Sequence, residues 1–251
     1  MPPRIFHLLL FDTPHVVSVD VPPGDATTQI TAATRQLTQT VTSVAINRSL
    51  EQNAPITCGP GCGACCRQLV RINVLEALAL AELVAQMPPP RQAQIRARFA
   101  AAIEKLRAGG LVAPPAHATR PHFSFHPPDM TDDQWLDFVH RYFELNIACP
   151  FLEKESCSIY ENRPLICREY MVTSPVCHCQ SLDVPQIKTV PLSMQISERL
   201  VEMISANNEP MTPTTSLIFA LEWAAADLPP PTLGDPDSAL LLLSLFCRSD
   251  P

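Results

Sequence analysis

Apolar and polar residues alternate over residues 5–21, from Phe6-His-Leu-Leu-Leu to Val16-Val-Ser-Val-Asp-Val. A period of two with β-branched residues predicts a short hairpin, broken at Thr13-Pro-His. From Ala26 to about Leu50 the period becomes helical, with Ile30, Ala33, Leu37, Val41, Val44 and Ala45 on one face. Its many threonines weigh against helix propensity. A helix rich in Ala and Leu is predicted from Val74 to Gln86, ending before Pro88-Pro-Pro. Another runs from Arg91 to Arg107, with Ile95, Phe99, Ile103 and Leu106 in register and Gly109-Gly110 as its stop. Residues 109–130 read as a Pro/His-rich connector. Thr131 then N-caps a helix whose Trp135, Phe138, Val139, Tyr142 and Phe143 are expected in the core.

Residues 149–179 read as loop and short helix, followed by helices at 193–206, 215–226 and 237–247. No repeat and no strand–helix alternation points to a parallel sheet. The expected fold is mainly α with a small N-terminal β-hairpin, in a single domain spanning 1–251 with a metal- or cluster-organised core. Within it, 1–25 form the hairpin, 50–180 the cysteine-rich region and 190–251 the C-terminal helices.

Composition narrows the function classes. The chain has 251 residues, 46% of them hydrophobic and 17% charged, which is a globular balance. A net charge of -7 without a basic block argues against nucleic acid and anionic membranes. The start carries too short an apolar stretch for a secretory signal, and Ala239–Phe246 is too short to span a bilayer. A cytoplasmic location is therefore expected, where ten cysteines serve as metal ligands rather than disulfides. The apolar 239–246 segment permits a homodimer without requiring one.

Four of those cysteines, Cys58, Cys62, Cys65 and Cys66, fall within nine residues. Five more follow: Cys149, Cys157, Cys167, Cys177 and Cys179. Thiolates are soft ligands for zinc and iron, and Gly59, Pro60, Gly61 and Gly63 allow the tight turns that let several sulfurs converge. Adjacent Cys65 and Cys66 project in different directions, so one of them can serve a second ion or a packing role.

The order Cys-x3-Cys-x2-Cys-Cys, then Cys149-Pro-Phe-Leu, then Cys157-x-Ile-Tyr-Glu-x-Arg-Pro-x-x-Cys167-Arg, resembles the YkgJ-type cysteine-cluster family. That family is described as zinc- or iron-chelating and includes flagellin lysine N-methylases. The resemblance covers about Cys58 to Cys179. It implies ligation by Cys58, Cys62, Cys65, Cys66, Cys149, Cys157 and Cys167, with Cys177 as an eighth ligand. Cys179 and His178 are further candidates, as are His117, His122 and His126 of the connector. Kinship also implies S-adenosylmethionine as a cofactor and a protein substrate or partner, although no nucleotide motif carries them.

Arg163 and Arg168 flank the second block, where an arginine can offset thiolate charge or hold a carboxylate. Pairing with Glu161 or Glu169 is the simpler expectation, and Tyr160 and Pro164 read as packing and turn residues. Two functions compete. One is an iron–sulfur or iron protein with redox or protein-modifying activity. The other is a non-catalytic zinc module, in which each structural zinc contributes on the order of 10 kcal/mol to folding. The block has no Cys-x2-Cys pair standing alone as in zinc knuckles, which tilts the reading toward iron–sulfur. A radical S-adenosylmethionine enzyme shares the Cys58-x3-Cys62-x2-Cys65 spacing, but seven glycines and no βα repeat do not build its barrel.

Overall fold

Asp25 starts the first helix by accepting the Thr28 amide at 2.8 Å, and α1 then runs over Ala26–Glu51. The computed structural model describes residues 2–111, 131–207, 213–226 and 231–248. The apolar face of α1 is buried as its periodicity predicts, through Ile30, Ala33, Leu37, Val41 and Ala45. Its threonines fit because they bond inward: Thr34 Oγ1 donates to the Ile30 carbonyl at 2.8 Å and Thr42 Oγ1 to the Thr38 carbonyl at 2.7 Å.

Antiparallel strands β1 (Arg4–Leu10) and β2 (Thr13–Val19) form the expected hairpin. The turn, however, is Phe11-Asp12, both left-handed at φ 49° and 63°, and Thr13-Pro-His belongs to β2. Consecutive left-handed residues are what a two-residue hairpin demands. Pro14 is accepted because a two-stranded ribbon consists only of edges. Phe6, Leu8, Leu10, Val17 and Val19 point into the core against α1.

Asn73 and Glu76 make a reciprocal capping box that starts α2 (Val74–Ala85). Pro89 opens α3 (Pro89–Ala108), and Gly110, at φ 68°, lies beyond its end. Two three-residue strands were not foreseen: β3 (Arg71–Asn73) pairs antiparallel with β6 (Thr214–Ser216). The helix expected at 215–226 is thus a strand, a 3-10 turn at Leu217–Phe219 and a short α8 (Ala220–Ala225). Three residues are too few to display a period of two.

The expected α4 (Asp132–Glu144) is present, capped by Thr131, but of its five aromatic and aliphatic face residues only Tyr142 is buried. Trp135 and Phe138 are half-buried and stack on each other at 5.6 Å. Helical spacing identifies a shared face, not its depth. Further along come β4 (Leu152–Glu153), β5 (Ser156–Cys157), α5 (Leu165–Glu169), α6 (Cys177–Gln180), α7 (Ile196–Asn207) and α9 (Pro236–Phe246). The connector with His117, His122 and His126 lies outside the described residues. The fold is mainly α with a small N-terminal hairpin, and α9 and α7 close over α1. Among the described residues no helix is long and apolar enough to cross a membrane.

Candidate metal centre

The loop leaving α1 is fastened before it reaches the first thiol. Thr57 donates its amide to the Val172 carbonyl at 2.9 Å, and Cys58 Sγ accepts the Val172 amide at 3.4 Å. Cys62 closes a turn onto the Gly59 carbonyl at 3.0 Å around Gly61, whose φ of 90° suits glycine. Cys65 and Cys66 follow in a 3-10 turn, Ala64–Arg67.

The second block is locked against that turn. The Cys149 amide donates to the Cys66 carbonyl at 2.7 Å. Arg67 grips Glu155 through two bonds of 2.9 and 2.6 Å. At Gly63 a Cβ would stand 2.7 Å from Leu152 Cδ1 and 3.1 Å from the Glu155 carbonyl oxygen, so the close approach requires glycine. The β4–β5 ribbon places Cys157 opposite Leu152, and Cys167 rides on α5. That short helix is pinned by Glu76, which accepts the Leu165 amide at 2.6 Å while capping α2.

The outcome is a cavity of about 290 Å³ whose wall includes Cys62, Cys65, Cys66, Cys149, Cys157 and Cys167. Six of the eight thiols singled out from sequence therefore border one space. Cys58 sits beside it, packed with Cys62 and the buried Cys179 around Val172. Cys177 is exposed and is not in the wall. On α6, Cys179 rather than Cys177 faces inward, only 2% exposed and 3.9 Å from the Tyr170 hydroxyl. His178 turns to Asp183 at 3.4 Å.

The electrostatics of the thiols agree with a cation site. Burial pushes Cys149 up to about 12, and burial likewise raises Cys58, Cys157, Cys167 and Cys179. Cys65 is raised first by its hydrogen bond with Cys66 and then by burial. Neighbouring thiolates add to this: Cys65 acts on Cys58, Cys149, Cys157, Cys167 and Cys179. Such a group resists ionisation without a cation, which would offset both the burial penalty and the mutual repulsion. All ten cysteines are free thiols. Among the described residues no three His, Cys, Asp or Glu side chains meet at a single point. The sulfurs ring a space instead. In donor chemistry they fit zinc, iron or a cluster.

The arginines depart from the expected ion pairs. Arg168 donates to the carbonyls of Arg163, at 3.1 Å, and of Glu161. Arg163 lies 4.0 Å over the Tyr160 ring, and both line the cavity with Pro164. Glu169 accepts instead from the amide and hydroxyl of Ser197, and burial pushes it up to about 7. Glu76 was missed from sequence, although Asn-x-x-Glu at the head of α2 is a capping signature. Nothing in the sequence marks Gln68 or Tyr170, which also border the cavity.

A family model named CxxCxxCC and described as "Putative zinc- or iron-chelating domain" matches residues 57–191. The chain belongs to the CxxCxxCC family. The matched span contains every thiol in the cavity wall, together with Cys58, Cys177 and Cys179. Comparison with curated proteins and with solved structures returned no match.

Proposed function

We propose that the chain holds an iron–sulfur cluster or iron in the thiol-walled cavity, and that the centre serves redox or protein-modifying chemistry. The observation carrying this reading is that six thiols from two segments, 62–66 and 149–167, border a cavity of about 290 Å³. Structural zinc sites are closed tetrahedra, whereas reactive centres keep an open position. A cavity larger than a closed zinc site favours the second kind. The ligands would be Cys62, Cys65, Cys66, Cys149, Cys157 and Cys167. Cys58 and Cys179 extend the set on the Val172 side.

Strictly anaerobic purification followed by elemental analysis and visible spectroscopy tests the proposal. Iron with acid-labile sulfide and a broad sulfur-to-iron charge-transfer band supports it. Stoichiometric zinc in a colourless protein overturns it in favour of a structural module. The methylase-like role is tested separately with labelled S-adenosylmethionine and lysine-rich protein, where absence of transferred methyl removes that role.

A further inference from the structure

The cavity contains more than sulfur. Its wall is largely apolar, with Leu69, Val70, Phe151, Ile166 and Leu217 facing the same space as the thiols. An apolar shell around a metal centre limits solvent access, but here it also borders open space beyond the sulfurs. At about 290 Å³ the space lies near the lower end of small-molecule pockets, roughly 300–1,000 Å³.

One polar nitrogen in the same wall, that of Arg163, stands without a hydrogen-bond partner. Arg163 Nε is buried and makes no hydrogen bond; its guanidinium lies over the Tyr160 ring and close enough to Cys65 and Cys157 to favour their ionised forms. No carboxylate among the described residues forms an ion pair with it. Gln68 also lines the wall, but it pairs with the Tyr170 hydroxyl. A buried donor left unpaired is costly, and one that carries charge more so. A buried cationic N–H donor defines the preferred guest as an anionic oxygen acceptor.

We propose that this cavity binds a small organic carboxylate, its head on Arg163 and its carbon body against Leu69, Val70 and Leu217. The inference rests on the metal-centre reading, since carboxylate oxygen is also a ligand for iron or zinc and can complete an open coordination position. An inorganic anion satisfies this donor but leaves the apolar wall unused.

The test is calorimetric titration of the metal-loaded, full-length protein with acetate, hexanoate, hexylamine and inorganic phosphate, metal content being measured on the same sample. Hexanoate is expected to bind at least about tenfold more tightly than acetate, from burial of its methylenes. Hexylamine should not bind. Arg163→Met should weaken hexanoate by about tenfold or more, and Arg163→Lys, which keeps the charge, by less. Circular dichroism and metal content check that both variants are folded and loaded. Loaded protein that binds no hexanoate overturns the carboxylate site while leaving the metal centre intact. Equal affinity for phosphate, acetate and hexanoate, or Arg163→Met binding as wild type, also overturns it. Protein that retains no metal brings down the metal-centre reading itself.

Discussion

The amide of Cys149 donates to the carbonyl of Cys66 at 2.7 Å, so residues 83 positions apart (149 − 66) are hydrogen-bonded neighbours at the rim of one cavity. The contact depends on Gly63, where a side chain would strike Leu152 and Glu155.

Gly63→Ala should therefore separate the two cysteine blocks. Overpacking of this kind costs about 1–3 kcal/mol, and metal retention should fall with it. Elemental analysis and a thermal melt check both effects. A fully loaded variant with unchanged Tm means that the approach at Gly63 is not what joins the blocks.

Cys177 and Cys179 should behave oppositely. Cys179 is buried beside Cys58 and Cys62, whereas Cys177 is exposed. Cys179→Ser should reduce bound metal and lower Tm; Cys177→Ser should leave both unchanged within error. In the native, loaded protein, Cys177 should also be the first thiol alkylated by iodoacetamide, as peptide mapping would reveal. Loss of metal in Cys177→Ser alone would reverse the assignment.

Glu76 ties α2 to the short helix carrying Cys167. It accepts from Leu165 at 2.6 Å, from the Asn73 amide at 3.2 Å and from Asn73 Nδ2 at 2.6 Å. Removing a buried acceptor strands its donors, so Glu76→Ala should cost on the order of 2–4 kcal/mol in urea unfolding. Glu76→Gln keeps a carbonyl acceptor and should cost clearly less. Equal loss in both variants would point to charge rather than hydrogen bonding.

Stripping the metal should destabilise the whole fold, because α5, which carries Cys167, packs on α1 and α7 and is hydrogen-bonded to Glu76 of α2. A chelator applied under reducing, oxygen-free conditions should lower Tm by about 10 °C or more, given the coupling of thiolate–metal binding to folding. An unchanged melt after verified removal would mean that protein packing alone holds the thiols in place.

Long periodic segments were legible in the sequence. The extents of α1, α2 and α3 follow from apolar spacing and the Pro and Gly stops, whereas the Asp25 and Asn73 caps emerged only from the structure. The two cysteine blocks were legible as one centre because thiol density has few other uses. What escaped depended on three dimensions. The Phe11-Asp12 turn lay hidden beside the more conspicuous Pro14, and β3 and β6 were too short to show a pattern. The choice between Cys177 and Cys179 rests on how a four-residue helix is rotated. Arg163 and Arg168 have carboxylates nearby in sequence, but the backbone carbonyls and the Tyr160 ring are closer in space.

The ribbon of β3 and β6 makes the cysteine motif hard to transplant. Residues 57–191 carry the cavity thiols, yet Arg71–Asn73 find their partner strand at Thr214–Ser216, and Leu217 completes the cavity wall from beyond that span. A graft confined to the motif would arrive with an unzipped strand and a missing panel. Portable versions of this centre must bring the later ribbon along.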